Sequence, residues 1–438
     1  MLNYIWLGLL LVAVLIGGFN GRLPQATEAG IKAAETAVTL SIGLVGVMTL
    51  WLGLMRLAER SGLVALVARG LQPILRRLFP DVPADHPAMG SMVLNIAANL
   101  LGLTNAATPL GLRAMRDLEM LNRHPGTATN AMCTFLAINT GSVQLLPVSA
   151  IALFAAAGAK QPTAIVGTTL LATLASSVAG LIAVKSLEKL GVFRLGRPTE
   201  SSRLSRSEAT GDSAEATQLT QSVPPLPFWS RLILSLFCGC FAWFALAMVL
   251  YPSETTLISP ALRVIQAVST LAIPFLVAFF PLYAALRHVA VYEEFIEGAK
   301  EGFPVAVKII PYLVGMLVAI GFLRGAGVIE QFTQWTAPAL ALIGIPSELL
   351  PLALLRPLTG SGSLAALGDL IQQTGPDSLL SRMGGTLFGS TETTFYVIAV
   401  YFGSVGVKRV RHAVWAGLIA DAAGILAAVH ICRWALGS

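Results

Sequence analysis

Two carboxylates and one guanidinium stand in sequence that otherwise reads as membrane-embedded helix. Glu392 lies in LFGSTETTFYV (387–397), Asp421 in AGLIADAAGILAAV (416–429), and Arg356 opens RPLTGSGSLAALGDLI (356–371). Ionisable groups at membrane depth are costly, and they mark solute pathways, ion sites or internal pairs. Glu392 either serves a pathway or neutralises Arg356, and the two roles are compatible. Asp421 either binds a cation or relays a proton, or it hydrogen-bonds a neighbouring broken helix. Neutral polar residues occur in the same kind of setting. They are Asn95, Asn99, Asn105, Thr108, Asn139, Ser142 and Gln144 in the first half of the chain, and Thr359, Ser361, Ser363, Ser390 and Thr391 in the second. Amides and hydroxyls of this kind orient a small polar solute; a carboxylate could couple its movement to Na⁺ or H⁺.

Catalytic chemistry has no comparable signature. HExxH, GxSxG and Walker A patterns are absent from the sequence. Without a nucleotide-binding loop, primary active transport by this chain alone is not expected. His86, His124, His288, His412 and His430 fall near helix ends, and no pair has metal-ligand spacing. Cys238-Gly-Cys240 lacks the spacing of a zinc site, and all four cysteines read as buried small hydrophobes. No resident cofactor or metal is expected. The run Arg113, Arg116, Asp117, Glu119, Arg123 reads as a solvated helix, and Glu35 as interfacial.

The elements that position these residues are transmembrane helices. The 438 residues are 55% hydrophobic and only 12% charged, against about 25% charged in soluble domains. Long continuous apolar runs exclude a β-barrel, whose strands alternate. They occur at 3–19, 36–57, 128–158, 162–187, 228–251, 263–286, 305–324, 383–403 and 412–435. The first has neither a basic n-region nor an A-x-A-like site and reads as a retained helix rather than a signal peptide. Short amphipathic helices are expected at 24–37 and 291–303, and an interfacial one at 63–79. The net charge of +6 reflects basic residues at helix ends and implies membrane topology, not nucleic acid.

Residues 193–226 are polar and rich in Ser, Thr and Pro, the composition of a flexible linker. They divide the chain into a first membrane half (1–192) and a second (227–438). The halves repeat one another in order: 44–64 corresponds to 313–330, 99–115 to 354–370, and 139–158 to 388–406. With the linker cytoplasmic, Met1 and Arg56, Arg60, Arg69, Arg76 and Arg77 fall inside. The helix at 228–251 has no counterpart, so it inverts the second half. Lys408, Arg409 and Arg411 then also fall inside, while 325–350 and the C-terminus fall outside, as the positive-inside rule requires. Inverted repeats of this kind are a transporter plan.

Within each half, two polar interruptions need protein or a watery cavity to satisfy their backbone. Residues 95–111 and 356–365 read as re-entrant hairpins, their prolines disfavouring a continuous helix. Residues 137–147 and 387–397 read as helices broken at Gly-Ser, with Gln144 corresponding to Glu392.

These residues carry a family resemblance. HPAMGSMVLNIAANLLGLTNAATPLGLRAM (86–115) and ATNAMCTFLAINTGS (128–142) resemble spore maturation protein A. RPLTGSGSLAALGDLIQQTGPDS (356–378) and GSTETTFYVIAVYFGSVGVKRVRHAVWAGLIAD (389–421) resemble spore maturation protein B. The chain looks like a fusion of the two, with 193–226 as the joint. The resemblance implies a nucleoside-recognition, or Gate, domain in each half, and so an all-α polytopic membrane protein of two inverted Gate-type repeats. The function expected is a secondary carrier or channel in a bacterial inner membrane. Its solute would be small and polar or carboxylate-bearing, and Glu392 or Asp421 would serve ion coupling. The alternative is a non-transporting scaffold of an envelope or spore-maturation-type complex. A homo-oligomer is compatible with the sequence.

Overall fold

The computed structural model describes residues 2–102, 104–141, 144–194, 225–251 and 259–437; of Leu2, Ile5, Thr104, Asn105 and Ala106 only the backbone is described. Most of the expected linker therefore lies outside the described residues. The helices are α1 (Leu2–Phe19), α2 (Leu23–Arg60), α3 (Leu63–Leu78), α4 (Pro87–Leu101), α5 (Thr104–Met120), α6 (Asn130–Gly141), α7 (Val148–Ala156) and α8 (Ile165–Leu187) in the first half. The second half holds α9 (Phe228–Leu250), α10 (Pro260–Leu286), α11 (Val291–Ala299), α12 (Gly302–Gly325), α13 (Val328–Leu342), α14 (Leu350–Leu355), α15 (Gly360–Thr374), α16 (Leu379–Ser390), α17 (Thr394–Ser404) and α18 (Ala413–Leu436). Among the described residues, six helical segments are long and apolar enough to cross a membrane.

The repeat is visible in local chemistry. Gly62 (φ +75°) and Gly327 (φ +80°) take the same left-handed conformation before α3 and α13. Each of those helices carries an internal proline at the same position, Pro73 and Pro338. Corresponding helices then pack side by side and antiparallel. Along the seam of α2 with α11 and α12, Gly30 lies under Phe322, Gly53 under Phe295, Gly302 on Thr49, and Gly325 on Ala26. As residue numbers rise in one helix they fall in the other. The same holds for α8 and α18, where Gly180 abuts Ala420 and Gly424 abuts Ser176. Equivalent helices that meet antiparallel put the two copies in opposite orientations. Lipid gives apolar helices little reason to associate, so close packing of small residues is what holds such seams. A Cβ on Gly302 would sit 2.7 Å from the Thr49 backbone nitrogen.

The amphipathic helix expected at 24–37 is not separate from the span that follows. Both belong to the continuous 38-residue α2, about 57 Å long at 1.5 Å per residue, well beyond a hydrocarbon core of about 30 Å. Nothing between Pro24 and Arg60 breaks it, and Glu28, Lys32 and Glu35 line an exposed face of its first turns. In the second half, α11 and α12 do the same work with a short interruption between them. Glu294 on α11 pairs with Arg56 (3.0 Å) and Arg60 (3.2 Å) of α2.

The unpaired helix α9 has no buried residue. It lies against α10 through Phe237, Phe241, Phe275 and Phe279, whose ring centroids are 4.9–6.4 Å apart. Cys238 and Cys240 are consequently exposed, while Cys133 and Cys432 are buried. The expectation that all four are buried fails because α9 is a peripheral helix with no second layer around it.

Candidate functional site

Both hairpins form. In the first, α4 and α5 fold back on each other, joined by Asn95 Nδ2 to the Ala107 carbonyl (2.7 Å) and Ser91 Oγ to Asp117 Oδ2 (2.5 Å). Asp117 is therefore buried, not on a solvated face as its charged neighbours suggest. The turn falls at Gly102 (φ +78°), a conformation glycine adopts without steric cost, and Pro109 lies inside α5. In the second hairpin, Pro357 stands between α14 and α15, and Thr359 caps α15 by accepting from the Gly362 N–H (3.2 Å).

Both helices expected to break do so, α6 from α7 and α16 from α17. Each break is tied to the tip of its own hairpin by one backbone bond: Leu145 N–H to the Leu100 carbonyl (3.1 Å), and Phe395 N–H to the Pro357 carbonyl (3.0 Å). Beyond the breaks the copies exchange partners. Tyr401 of α17 reaches the first hairpin, where its hydroxyl accepts from Asn95 Nδ2 (3.4 Å) beside Gly111, and it donates to Asn139 Oδ1 (3.5 Å). Leu153 of α7 packs at Gly368 of the second hairpin.

Gln144 Nε2 donates to Glu392 Oε1 at 2.9 Å. These are corresponding residues of the two copies, and corresponding residues that touch must lie on the axis relating them. The broken helices thus meet tip to tip at the centre of the inverted pair. Glu392 is held there by three more groups. Arg356 Nη2 lies 3.7 Å from Oε2, the Thr393 N–H is 3.4 Å from Oε2, and the positive end of α17 begins two residues on. Even so, the Glu392 side chain keeps 26% of its surface accessible.

Arg356 does not. It is 4% exposed, donates to the Thr391 carbonyl, and its guanidinium lies 4.4 Å above the Phe388 ring. The pairing with Glu392 anticipated from sequence is present, and it leaves Arg356 committed inside the protein. Asp421 accepts from Thr394 Oγ1 (2.7 Å) and is 2% exposed.

The sequence-derived residues thus divide by accessibility. Asn99, Thr108, Gln144, Ser361 and Glu392 are partly accessible. Asn95, Asn139, Thr359, Ser363, Ser390, Thr391, Arg356 and Asp421 are buried. Asn99 donates to Asn139 Oδ1 (2.9 Å), Ser363 to the Thr359 carbonyl (2.7 Å), and Ser390 and Thr391 to the Leu387 carbonyl (3.2 and 3.0 Å). The Ser390 and Thr391 hydroxyls thereby satisfy a carbonyl at the broken end of α16. The side chain of Asn105, and Ser142 altogether, lie outside the described residues. Among the described residues no three His, Cys, Asp or Glu side chains converge as a metal cluster.

The family described as Gate, nucleoside recognition, matches residues 41–160 and 306–408. The chain belongs to it. The two matched stretches contain the α4–α5 and α14–α15 hairpins and both breaks, so each half is a Gate copy. Spore maturation protein A of Bacillus subtilis (strain 168) is 45% identical over 182 residues, 42% of this chain and 93% of that protein. Spore maturation protein B of the same organism is 44% identical over 177 residues, 40% of this chain and 99% of that protein. One polypeptide here therefore carries what resembles both. The crystal structure of the Alcanivorax borkumensis YdaH transporter, described as having an unusual topology, is similar at a TM-score of 0.42. It shares 14% identity, with 99% of this chain and 97% of that chain covered. At that score the likeness decides neither topology nor function.

Tyr401, Phe388, Thr394 and the Arg324–Asp369 ion pair were not among the residues singled out from sequence. Tyr401 could have been: a tyrosine inside a broken membrane helix needs a partner for its hydroxyl, and the asparagines of the other copy are the available acceptors. Phe388 offers no such signal, since its role is a face for a cation that sits far away in sequence.

Proposed function

We propose that this Gate-family protein is a secondary carrier or channel for a small polar solute, bound where the two broken helices meet. The observation that supports it most directly is the Gln144–Glu392 contact on the axis between the copies. It places a partly accessible carboxylate between two half-helices and two hairpin tips in the middle of a membrane protein. A static core would bury or remove such a group, because a charge in hydrocarbon is costly. Asn99, Thr108, Gln144 and Ser361 are the amides and hydroxyls within the same region that a solute could reach. Arg356 acts as the internal counter-charge that holds Glu392 in place. The groups left for a solute are therefore donors and acceptors suited to hydroxyls, amides or a nucleobase, in keeping with the family description. Na⁺ or H⁺ coupling would run through Glu392 or Asp421. In this reading the protein lies in a bacterial inner membrane, with the N-terminus and linker cytoplasmic and the C-terminus outside.

The test is uptake of a panel of radiolabelled nucleosides and amino acids into proteoliposomes under Na⁺ or H⁺ gradients. Gradient-driven uptake by the unaltered protein is expected, and Glu392→Gln should abolish the driving effect. Coupled uptake retained in that variant would remove Glu392 from the mechanism. Absence of uptake across the panel, with function still dependent on assembly into a larger complex, would favour the scaffold role.

A further inference from the structure

The charged groups near enough to act on Asp421 are Arg356 and Glu392, and those acting on Arg356 are Glu392 and Asp421. When all three are ionised, one cation faces two anions. Glu392 is compensated, with Arg356, Gln144 and the start of α17 around it. Asp421 is not. Its Oδ2 accepts from Thr394 Oγ1 at 2.7 Å, while its Oδ1 is buried with no hydrogen-bond partner among the described residues. A buried anion that shares its one counter-charge with a second carboxylate and lacks a full set of donors is strongly disfavoured.

The surroundings of Asp421 are rich in oxygen. On α18, Gly417 and Gly424 flank it one turn away on either side. Neither has a side chain, and both gaps are filled by hydroxyl-bearing residues of other elements. A Cβ on Gly417 would lie 3.3 Å from Thr394 Oγ1 and 3.6 Å from Thr140 Oγ1; one on Gly424 would lie 2.5 Å from Thr391 Cγ2 and 3.3 Å from Ser176 Oγ. Thr140 and Thr391 stand at the C-terminal ends of the half-helices α6 and α16, where carbonyls and the negative end of the helix dipole gather. The corresponding position of the first copy is Thr173, whose hydroxyl donates to the Gly141 carbonyl at the end of α6 (3.2 Å). One copy thus satisfies its helix end with a neutral donor, and the other brings a second negative charge to the same kind of place.

We propose that Asp421 Oδ1 binds a monovalent metal cation, Na⁺ by preference, with the hydroxyl oxygens of Thr394 and Thr140, which both border Gly417, as the nearest further ligands. A single positive charge neutralises the triad, and the donors are all hard oxygens. One nearby carboxylate alone does not suit the multivalent ions that gather several. Half-helix C-termini are where transporters hold coupling ions. The assignment deepens the transport reading by separating two roles: Glu392 meets the solute, and Asp421 holds the ion behind it.

The experiment needs no solute, so its failure is separable from a failure of uptake. The full chain, purified in detergent, is melted across a titration of NaCl, with KCl or choline chloride keeping ionic strength constant. Expected is a saturable rise in midpoint of roughly 3–5 °C in Na⁺ over choline, smaller in K⁺. The rise should be absent in Asp421→Asn and weakened in Thr140→Val. Should Asp421→Asn fail to fold, Thr140→Val alone carries the test by a raised half-saturating Na⁺ concentration. Equal melting in Na⁺, K⁺ and choline overturns the proposal. So does a Na⁺ response that survives Asp421→Asn. A midpoint indifferent to Na⁺ but raised by acidification, through Asp421, would make the neutralising cation a proton and equally overturn the metal assignment.

Discussion

Replacing Arg356 by methionine tests whether the guanidinium is a structural counter-charge. Arg356 contributes three things: a donor to the Thr391 carbonyl at the end of α16, a partner for Glu392 at 3.7 Å, and a face-on contact with Phe388 at 4.4 Å. Removing one partner of a fully buried pair costs about 3–5 kcal/mol. Here the surviving carboxylate is 26% accessible and keeps Gln144 and the α17 N-terminus, which lowers that share to about 1–2 kcal/mol. Leaving the Thr391 carbonyl unpaired adds about 1–2 kcal/mol. Methionine still packs on the Phe388 ring, so most of that contact survives. Arg356→Met should therefore cost about 3 kcal/mol in all, or roughly 3 °C in melting midpoint for a chain of this size. The double variant Arg356→Met/Glu392→Gln removes the orphaned charge as well, and should recover about half of the loss. The readout is the surviving monodisperse fraction after heating in detergent, measured by size-exclusion chromatography for both variants side by side. A double variant melting no higher than the single one would refute the counter-charge reasoning. An Arg356→Met protein as stable as the original would show that the pair holds nothing.

Two further outcomes follow from the antiparallel seams. Gly302→Ala forces a methyl group to within 2.7 Å of the Thr49 backbone nitrogen and should cost about 1–3 kcal/mol. Gly46→Ala in the facing helix meets nothing within 4 Å and should be neutral or slightly stabilising, by up to about 1 kcal/mol; thermal midpoints of the two compare them directly. In a background with its own cysteines replaced, Gly180→Cys with Ala420→Cys should close a disulfide on mild oxidation, because the added Cβ lies 2.9 Å from that of Ala420. The closed form can be followed by a gel shift after cleavage within the linker. A pair that never closes would contradict the inverted packing of α8 on α18.

By itself the sequence determined the membrane class, the two-copy plan and the places where helix must give way to irregular backbone. Those features are written locally: long apolar runs, Gly-Ser and Gly/Thr turns between them, and the same polar signature recurring in both halves. The Gln144–Glu392 correspondence was likewise legible, because repeats preserve order. Local signals misled where context beyond the chain neighbours ruled. Glu28, Lys32 and Glu35 suggested a separate surface helix, yet with no breaker before Arg60 the α-helix simply continues. Asp117 looked solvated among arginines, but Ser91 of the facing arm holds it. Only the tertiary structure decided that corresponding residues touch, since contact across the axis depends on how two inverted copies dock. It alone showed that Arg356 faces inward to Thr391 and Phe388, that Tyr401 crosses into the other copy's hairpin, and that Asp421 keeps one oxygen unmatched. Each of these is a relation between residues far apart in sequence, set by close packing of glycine-lined helices, and no local pattern encodes it.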